Sequence, residues 1–545
     1  MKIPAFLKPG LLTVGLLTSQ SSAALYHTPV DTEYGKVQGF KYFNSSTTQK
    51  YFNLSDSQIT AFIGIPYAAN TAYENRWKPA QRRERWNGTL QAHDFGPACP
   101  IAHQAATYNI SEDCLSVNIW TPANSSSDSL PVLVWNYGSG ETSAEPRYDG
   151  GGLATKDVVV VTYNYRDAAF GFLAHPTLNE ESGHNSSGNY GIMDFFTVLK
   201  WVQSNIANFG GDPDKVTIAG QSFGSAQVYH AVNSPLAKGL FRGMIAESGI
   251  RHPYDPLLAG LADSYQTMEK AVETGINYTT SHNVSTIAEL RTLSMEQLLV
   301  GSDDRQEIDN LTALWTMDPP LFKTTLDGYV VPKKYIDSLR DGPANDVPMI
   351  TGNNKDESGA STSTNYTVEE YKMYNKQWYG DDLFSKFLQL YPARNDSEAD
   401  RSWNAAARDL SLVSSYQFAN GWIESAKSPF YTYYWDHAPP GQNQGAFHMA
   451  EINYALRNLY KTDLPWTAYD FYLSDVMSSY WANFVKTEDP NLGGSLTMGN
   501  LTRWKPNESD KPTVMHLGDG FGEIPIATRE RRELLSAFLK KYQPY

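Results

Sequence analysis

Lys215-Val216-Thr217-Ile218-Ala219-Gly220-Gln221-Ser222-Phe223-Gly224-Ser225 is the stretch on which the reading of this chain turns. Its first half is a short β-branched run, the pattern of a strand buried on both faces. Ser225 to His230 can open a helix. Between them lies the chain's only Gly-x-Ser-x-Gly, Gly220 to Gly224. In a strand–turn–helix setting this spacing describes a sharp elbow that holds the serine in a strained conformation and exposes its hydroxyl beyond the sheet. Glycine is required on either side because the backbones approach too closely for a Cβ. Ser222 is therefore the candidate nucleophile, with helix N–H groups behind it to favour negative charge.

Working outward, further apolar runs bounded by turn residues predict strands at Leu130 to Trp135, Asp157 to Tyr163, Gly243 to Ala246, Pro348 to Gly352 and Phe430 to Trp435. Helical patterns lie between them. In Met193 to Asn208, for instance, Val198, Leu199, Val202 and Ile206 fall on one face. Alternating strands and helices predict an α/β fold with a mostly parallel sheet. No convincing linker interrupts it.

Hydrophobic residues make up 41% of the 545 and aromatics 13%, ample for a large core. A formal net charge of −15 repels phosphate backbones and anionic membranes, which argues against nucleic-acid partners. The basic clusters Arg82-Arg83-Glu84-Arg85 and Arg529-Glu530-Arg531-Arg532 are interrupted by acid and read as solvated faces. At the start, Lys2 and Lys8 precede a short apolar stretch, Gly10 to Thr18, and Ser21-Ser22-Ala23-Ala24 offers a cleavage site. Residues 1–23 are thus expected to be a signal peptide, and 24–545 one catalytic domain of a secreted protein. The apolar run is too short to span a bilayer and no apolar tail closes the chain, so stable membrane insertion is not expected. Sequons at Asn44, Asn53, Asn87, Asn109, Asn124, Asn185, Asn277, Asn283, Asn310, Asn365, Asn395, Asn500 and Asn507 fit a glycosylating pathway. Cys99 and Cys114, the only cysteines, are expected to pair in that compartment.

A serine hydroxyl needs a base, and in elbow enzymes of this kind the chain order runs serine, acid, histidine. Only His437, His448 and His516 lie late enough. The run Val347 to Gly352 is followed by Asn353-Asn354-Lys355-Asp356-Glu357, so Asp356 and Glu357 both offer a carboxylate beyond a strand's carboxyl end.

Phe209-Gly210-Gly211-Asp212-Pro213 with the elbow resembles the serine signature of type-B carboxylesterases, the cholinesterase-like α/β-hydrolases. Glu112-Asp113-Cys114-Leu115-Ser116-Val117-Asn118-Ile119-Trp120-Thr121-Pro122 resembles that family's second signature. Gly64-Ile65-Pro66-Tyr67-Ala68, Asn164-Tyr165-Arg166 and Trp481-Ala482-Asn483-Phe484 also fit. The resemblance spans roughly residues 30 to 510 and looks closest to secreted fungal carboxylesterases. It implies an α/β-hydrolase fold and ester hydrolysis by a Ser222–Glu357–His448 triad through an acyl-enzyme, with no cofactor. Glu357 matches the family's Asn-Lys-Asp-Glu-Gly pattern and His448 its histidine loop, Gly445 to Ile452. Ser248 is expected to support the acid.

The oxyanion hole implied is formed by the backbone N–H groups of Ser139, Gly140 and Phe223. The loop Tyr137-Gly138-Ser139-Gly140-Glu141 departs from the family at Ser139 and Glu141. Tyr137 is expected to touch substrate, and Glu141 either to do so or to point away from the site or pair with a cation. The segment from Cys99 to Cys114 lacks the long flap of related lipases and the tryptophan of cholinesterases, and Gln221 replaces the latter's carboxylate. A small-molecule ester is therefore the expected partner. A lactonase or acyl transferase acting on a secondary metabolite would use the same chemistry, and a catalytically impaired binding protein is a further alternative. No metal-binding His-Glu-x-x-His or nucleotide-binding glycine loop is present.

Overall fold

A computed structural model describes residues 24–55, 57–260, 264–496 and 499–545; the expected leader, 1–23, lies outside them. Eleven strands form the main sheet: β1 (Phe40–Lys41), β2 (Thr60–Pro66), β3 (Ser116–Thr121), β4 (Leu130–Asn136), β5 (Val159–Tyr163), β6 (Gly211–Gln221), β7 (Gly243–Glu247), β8 (Met349–Asn354), β9 (Phe430–Trp435), β10 (Thr513–Leu517) and β11 (Gly522–Pro525). They are ordered β1-β2-β3-β5-β4-β6-β7-β8-β9-β10-β11. From β5 to β10 every neighbouring pair is parallel, while β1 to β3 and β11 are antiparallel. This is the α/β-hydrolase sheet. Every residue of β5 and β7 is buried, so both faces are covered.

Strand order reverses at β4, because the chain passes to β5 on one side and returns to β6 on the other. Loops leaving the carboxyl ends of β4 and β6 therefore face one crevice, the usual ligand position in an open α/β sheet. Helix α1 (Tyr190–Asn205) buries Val198, Leu199 and Val202, with Ile206 just beyond its end, as the pattern predicts. Helix α2 (Phe223–Asn233) follows β6 directly and packs on β6 and β7. A second aromatic cluster, with Trp315, Trp378, Trp403 and Phe538, joins α3 (Asp396–Ser425) to its neighbours beside the sheet.

The elbow depends on close backbone contact. A Cβ on Gly224 would stand 2.2 Å from Asn136 O, and one on Gly220 would stand 2.4 Å from the Gly224 carbonyl. Cys99 and Cys114 are joined by a disulfide with Cα atoms 5.0 Å apart.

Two stability measurements check these constraints. Gly224→Ala meets backbone rather than a movable side chain, so it is expected to destabilise by about 3 kcal/mol or more, read as a lower urea midpoint; an unchanged midpoint would contradict the close approach. Cys99→Ser opens a loop of 15 residues' separation and is expected to cost about 3 kcal/mol.

Candidate active site

Ser222 sits where β6 turns into α2, with φ 57° and ψ −123°, a conformation few residues with a Cβ adopt. Its N–H donates to Glu247 O at the end of β7 (3.0 Å), tying the turn to the next strand. The loop after β8 brings Glu357, and the loop after β9 brings His448.

Asp356 and Glu357 divide the work of that acid loop. Asp356 Oδ2 accepts the Ala446 N–H (2.9 Å), its own N–H donates to Ala446 O (3.0 Å), and Oδ1 pairs with Arg408. It thereby staples the acid loop to the histidine loop. Glu357, one residue on, is left to meet the imidazole: Oε2 accepts from His448 Nδ1 at 2.7 Å, while Oε1 accepts the Asn354 N–H at 2.8 Å. Burial alone would raise the Glu357 pKa, but the His448 hydrogen bond and charge, the Asn354 N–H and Arg251 bring it below the ordinary value. For His448 burial works downward and is outweighed by Glu357, with Glu451 and Glu141 adding to the rise, so its pKa stands above 6.5. The Gln221 amide lies against the same ring, Nε2 at 3.2 Å from His448 Nε2.

Ser222, Glu357 and His448 line one cavity of about 1030 Å³. Its apolar wall comes from Leu314, Trp315, Met317, Phe447 and Met449, and a hydroxyl-bearing rim from Ser361 to Thr364. The other late histidines lie elsewhere. His437 is held between Asp519 (2.6 Å) and Asp470 (3.0 Å), and His516 pairs with Asp436 (2.9 Å).

Beneath the imidazole, Glu451 and Glu247 are both fully buried. Asn354 Nδ2 donates to Glu451, and Trp481 Nε1 donates to Glu247 Oε1 (2.7 Å). Burial, then Glu357's charge, raises the Glu451 pKa; burial, then Glu451, raises that of Glu247. Two desolvated carboxyls so close are not both ionised near neutral pH.

The loop after β4 differs most from expectation. Gly138 runs against Ser222, since a Cβ there would lie 3.5 Å from the Ser222 Cβ. Ser139 N–H and Phe223 N–H have no hydrogen-bond partner among the described residues. Gly140 N–H, expected in the oxyanion hole, instead donates to Asp167 Oδ2 (2.8 Å). Glu141 turns inward, where Oε2 accepts the Gly138 N–H (2.9 Å) and the Tyr148 hydroxyl hydrogen. Arg147 stands 3.9 Å from its other oxygen. Neither Glu141 nor Tyr137 lines the cavity. Tyr137 is buried, stacked on Tyr165 at 4.5 Å, its hydroxyl accepting the Tyr165 N–H. An exposed carboxylate beside Ser222 would repel an oxyanion, and the free Gly138 N–H gives Glu141 a nearer partner. The Phe223 ring is likewise buried, against Phe172. Ser248 Oγ makes no hydrogen bond to Glu357 and has no partner among the described residues.

Sequence reasoning missed Asp167, Glu247, Glu451 and the contact of Gln221 with the ring. Asp167 directly follows Asn164-Tyr165-Arg166, and a carboxylate before the apolar run Ala168-Ala169-Phe170 was the available signal. No group of acidic, histidine or cysteine residues among those described can hold a metal ion.

Comparison with known proteins agrees with this geometry. The Carboxylesterase family profile matches residues 27–532. The chain is 31% identical over 484 residues to fumonisin B1 esterase of Sphingopyxis macrogoltabida, covering 86% of this chain and 85% of that one. It is 31% identical over 558 residues to carboxylesterase 1E of Mus musculus, covering 93% of each. A solved PNB esterase superposes with a TM-score of 0.72 at 28% identity, over 93% of this chain and all of that one. The serine elbow, its sheet and these likenesses together place the chain in the carboxylesterase family, as a carboxylic ester hydrolase.

Proposed function

We propose that this protein is a secreted serine esterase that cleaves small soluble esters through Ser222, His448 and Glu357. The observation that carries the reading is the His448 Nδ1–Glu357 Oε2 contact of 2.7 Å in the same cavity as the strained Ser222. Glu357 fixes the imidazole with Nδ1 protonated, leaving Nε2 as the base. Ser222 Oγ attacks the ester carbonyl carbon while its proton passes to His448 Nε2. Collapse of the tetrahedral intermediate breaks the bond to the alcohol oxygen, which leaves with that proton. Water then repeats the sequence on the acyl-enzyme, regenerating Ser222. A cavity of about 1030 Å³ accommodates an ester with a bulky acid or alcohol part, and no residue from Cys99 to Cys114 lines it. That favours soluble esters over emulsified triglycerides.

Secretion rests on the charged and apolar leader and on the sequons. All sequon asparagines are exposed except Asn507, which is half-buried with Nδ2 donating to Thr432 Oγ1 (2.9 Å). Among the described residues no helix is long and apolar enough to cross a membrane.

A fluorophosphonate is expected to label Ser222 in the wild type and nothing in Ser222→Ala, with adducts located by peptide mapping. Label on another serine would overturn the assignment. Aryl esters should be hydrolysed without a rate jump at the solubility limit. The base must be neutral to act, and a raised His448 pKa keeps it protonated to higher pH. The acid limb of kcat/KM is therefore expected to centre above pH 6.5, the ordinary imidazole value, and His448→Ala to lower kcat by several orders of magnitude. A limb centred well below 6.5 would contradict the coupling to Glu357.

Expressed in a eukaryotic secretory host, the protein should reach the medium without residues 1–23 and carry N-glycans at exposed sequons. Asn507 should stay unmodified. Terminal sequencing and glycosidase-coupled mass mapping read both, and an intact leader on soluble intracellular protein would contradict export.

A further inference from the structure

Asp167 stands at the amino end of the short helix Ala168–Phe172, where Oδ1 accepts the Ala168 N–H at 2.7 Å. A capping carboxylate needs only one oxygen for that task. Its other oxygen reaches the loop beside the nucleophile, accepting from Gly140 N–H at 2.8 Å and Ser139 Oγ–H at 3.1 Å. Asp167 is buried and does not line the Ser222 cavity.

The same loop is gripped from the opposite side. Gly140 O accepts hydrogen bonds from His103 Nε2 (2.8 Å) and Gln104 Nε2, both in the segment between the paired cysteines. Gly140 has φ +79°, and its two flanking peptides are thus each fixed by a partner outside the loop. An N–H has a single hydrogen. While Gly140 N–H donates to Asp167, it cannot also donate to an oxyanion on Ser222.

We propose that Asp167 is a positioning residue that latches the Ser139–Gly140 turn, leaving Ser139 N–H and Phe223 N–H as the two donors for the oxyanion and withholding Gly140 N–H. The latch rests on the reading of Ser222 as nucleophile. It makes the third donor conditional, available only when the Ser139–Gly140 turn rotates off Asp167. Burial holds the Asp167 pKa up while the Gly140 and Ala168 N–H groups and the Ser139 hydroxyl draw it down, so the carboxylate depends on the bonds it makes to the loop.

Asp167→Asn separates the latch from the cap. The amide keeps one oxygen, enough to cap Ala168, and presents an NH₂ that cannot accept from Gly140. Asp167→Ala removes both. The readout is inhibition by an aryl trifluoromethyl ketone. Ser222 Oγ adds to its carbonyl carbon, the proton passes to His448, and the carbonyl oxygen keeps the negative charge. Removing one oxyanion donor costs about 10²–10³ in kcat in a serine protease. Release of Gly140 N–H is accordingly expected to tighten the ketone by about tenfold or more and to raise kcat on an aryl acetate with KM little changed. A merely structural role would lower thermal stability in both variants and leave the ketone constant, expressed per labelled Ser222, where it was. Fluorophosphonate titration of each protein supplies that count. Unlabelled Ser222 in the wild type overturns the nucleophile assignment and the latch with it. Labelled Ser222 with equal or weaker ketone binding in both variants overturns the latch alone.

Discussion

Gly220 and Gly224 meet across a turn so tight that a side chain on either would collide with backbone. That contact compels the chain to leave β6 abruptly, and much of the site follows from it. Gly224 is pressed on Asn136 O and Tyr137 O, so the carboxyl end of β4 is held beside Ser222. The Ser222 N–H is turned to Glu247 O, so β7 is drawn into the same corner. The φ of 57° at Ser222 is thus sustained by neighbours on three sides, as a strained residue must be.

Charge around the imidazole is arranged with similar economy. Glu357, Glu451 and Glu141 all bias His448 toward its protonated form, yet only Glu357 bonds to the ring. The buried pair Glu247 and Glu451 relieves part of that excess, because desolvation favours a neutral member. Gln221, neutral and in contact with the ring, adds none. The remaining acids face loop amides. Glu141 answers Gly138, and Asp167 answers Gly140 and the Ser139 hydroxyl, so the two departures in the glycine loop, Ser139 and Glu141, each have a polar partner within the protein.

Much of this was legible in the sequence, and the reasons differ by element. β-branched runs announced β4 to β9 because strands buried on both faces need continuous apolar residues. The outer strands carry weaker signals: β2 contains Gly64 and Pro66, β10 includes His516, and β1 has only two residues. Motif and order sufficed to bring Ser222, Glu357 and His448 forward together, since each follows a strand of the same parallel sheet. What one-dimensional reading missed was direction. For Glu141 it left open a substrate contact or a carboxylate turned away, and the carboxylate folds back on Gly138. Asp167 lies far from Gly140 in the chain, and only the sheet brings the ends of β4 and β5 side by side.

Ser222, Glu357 and His448, far apart in the chain, reach one cavity through strands that pair in the order β4-β6-β7-β8-β9. Such contacts close long loops, and their entropy must be met before any of them is rewarded. Helices such as α1 can form early in a nascent chain, but Ser222, Glu357 and His448 share a cavity only when β9 has docked. A nascent chain of about 440 residues therefore carries Ser222 and Glu357 without His448. Their meeting is therefore one of the last events of maturation, complete only when β8 and β9 lie side by side in the sheet.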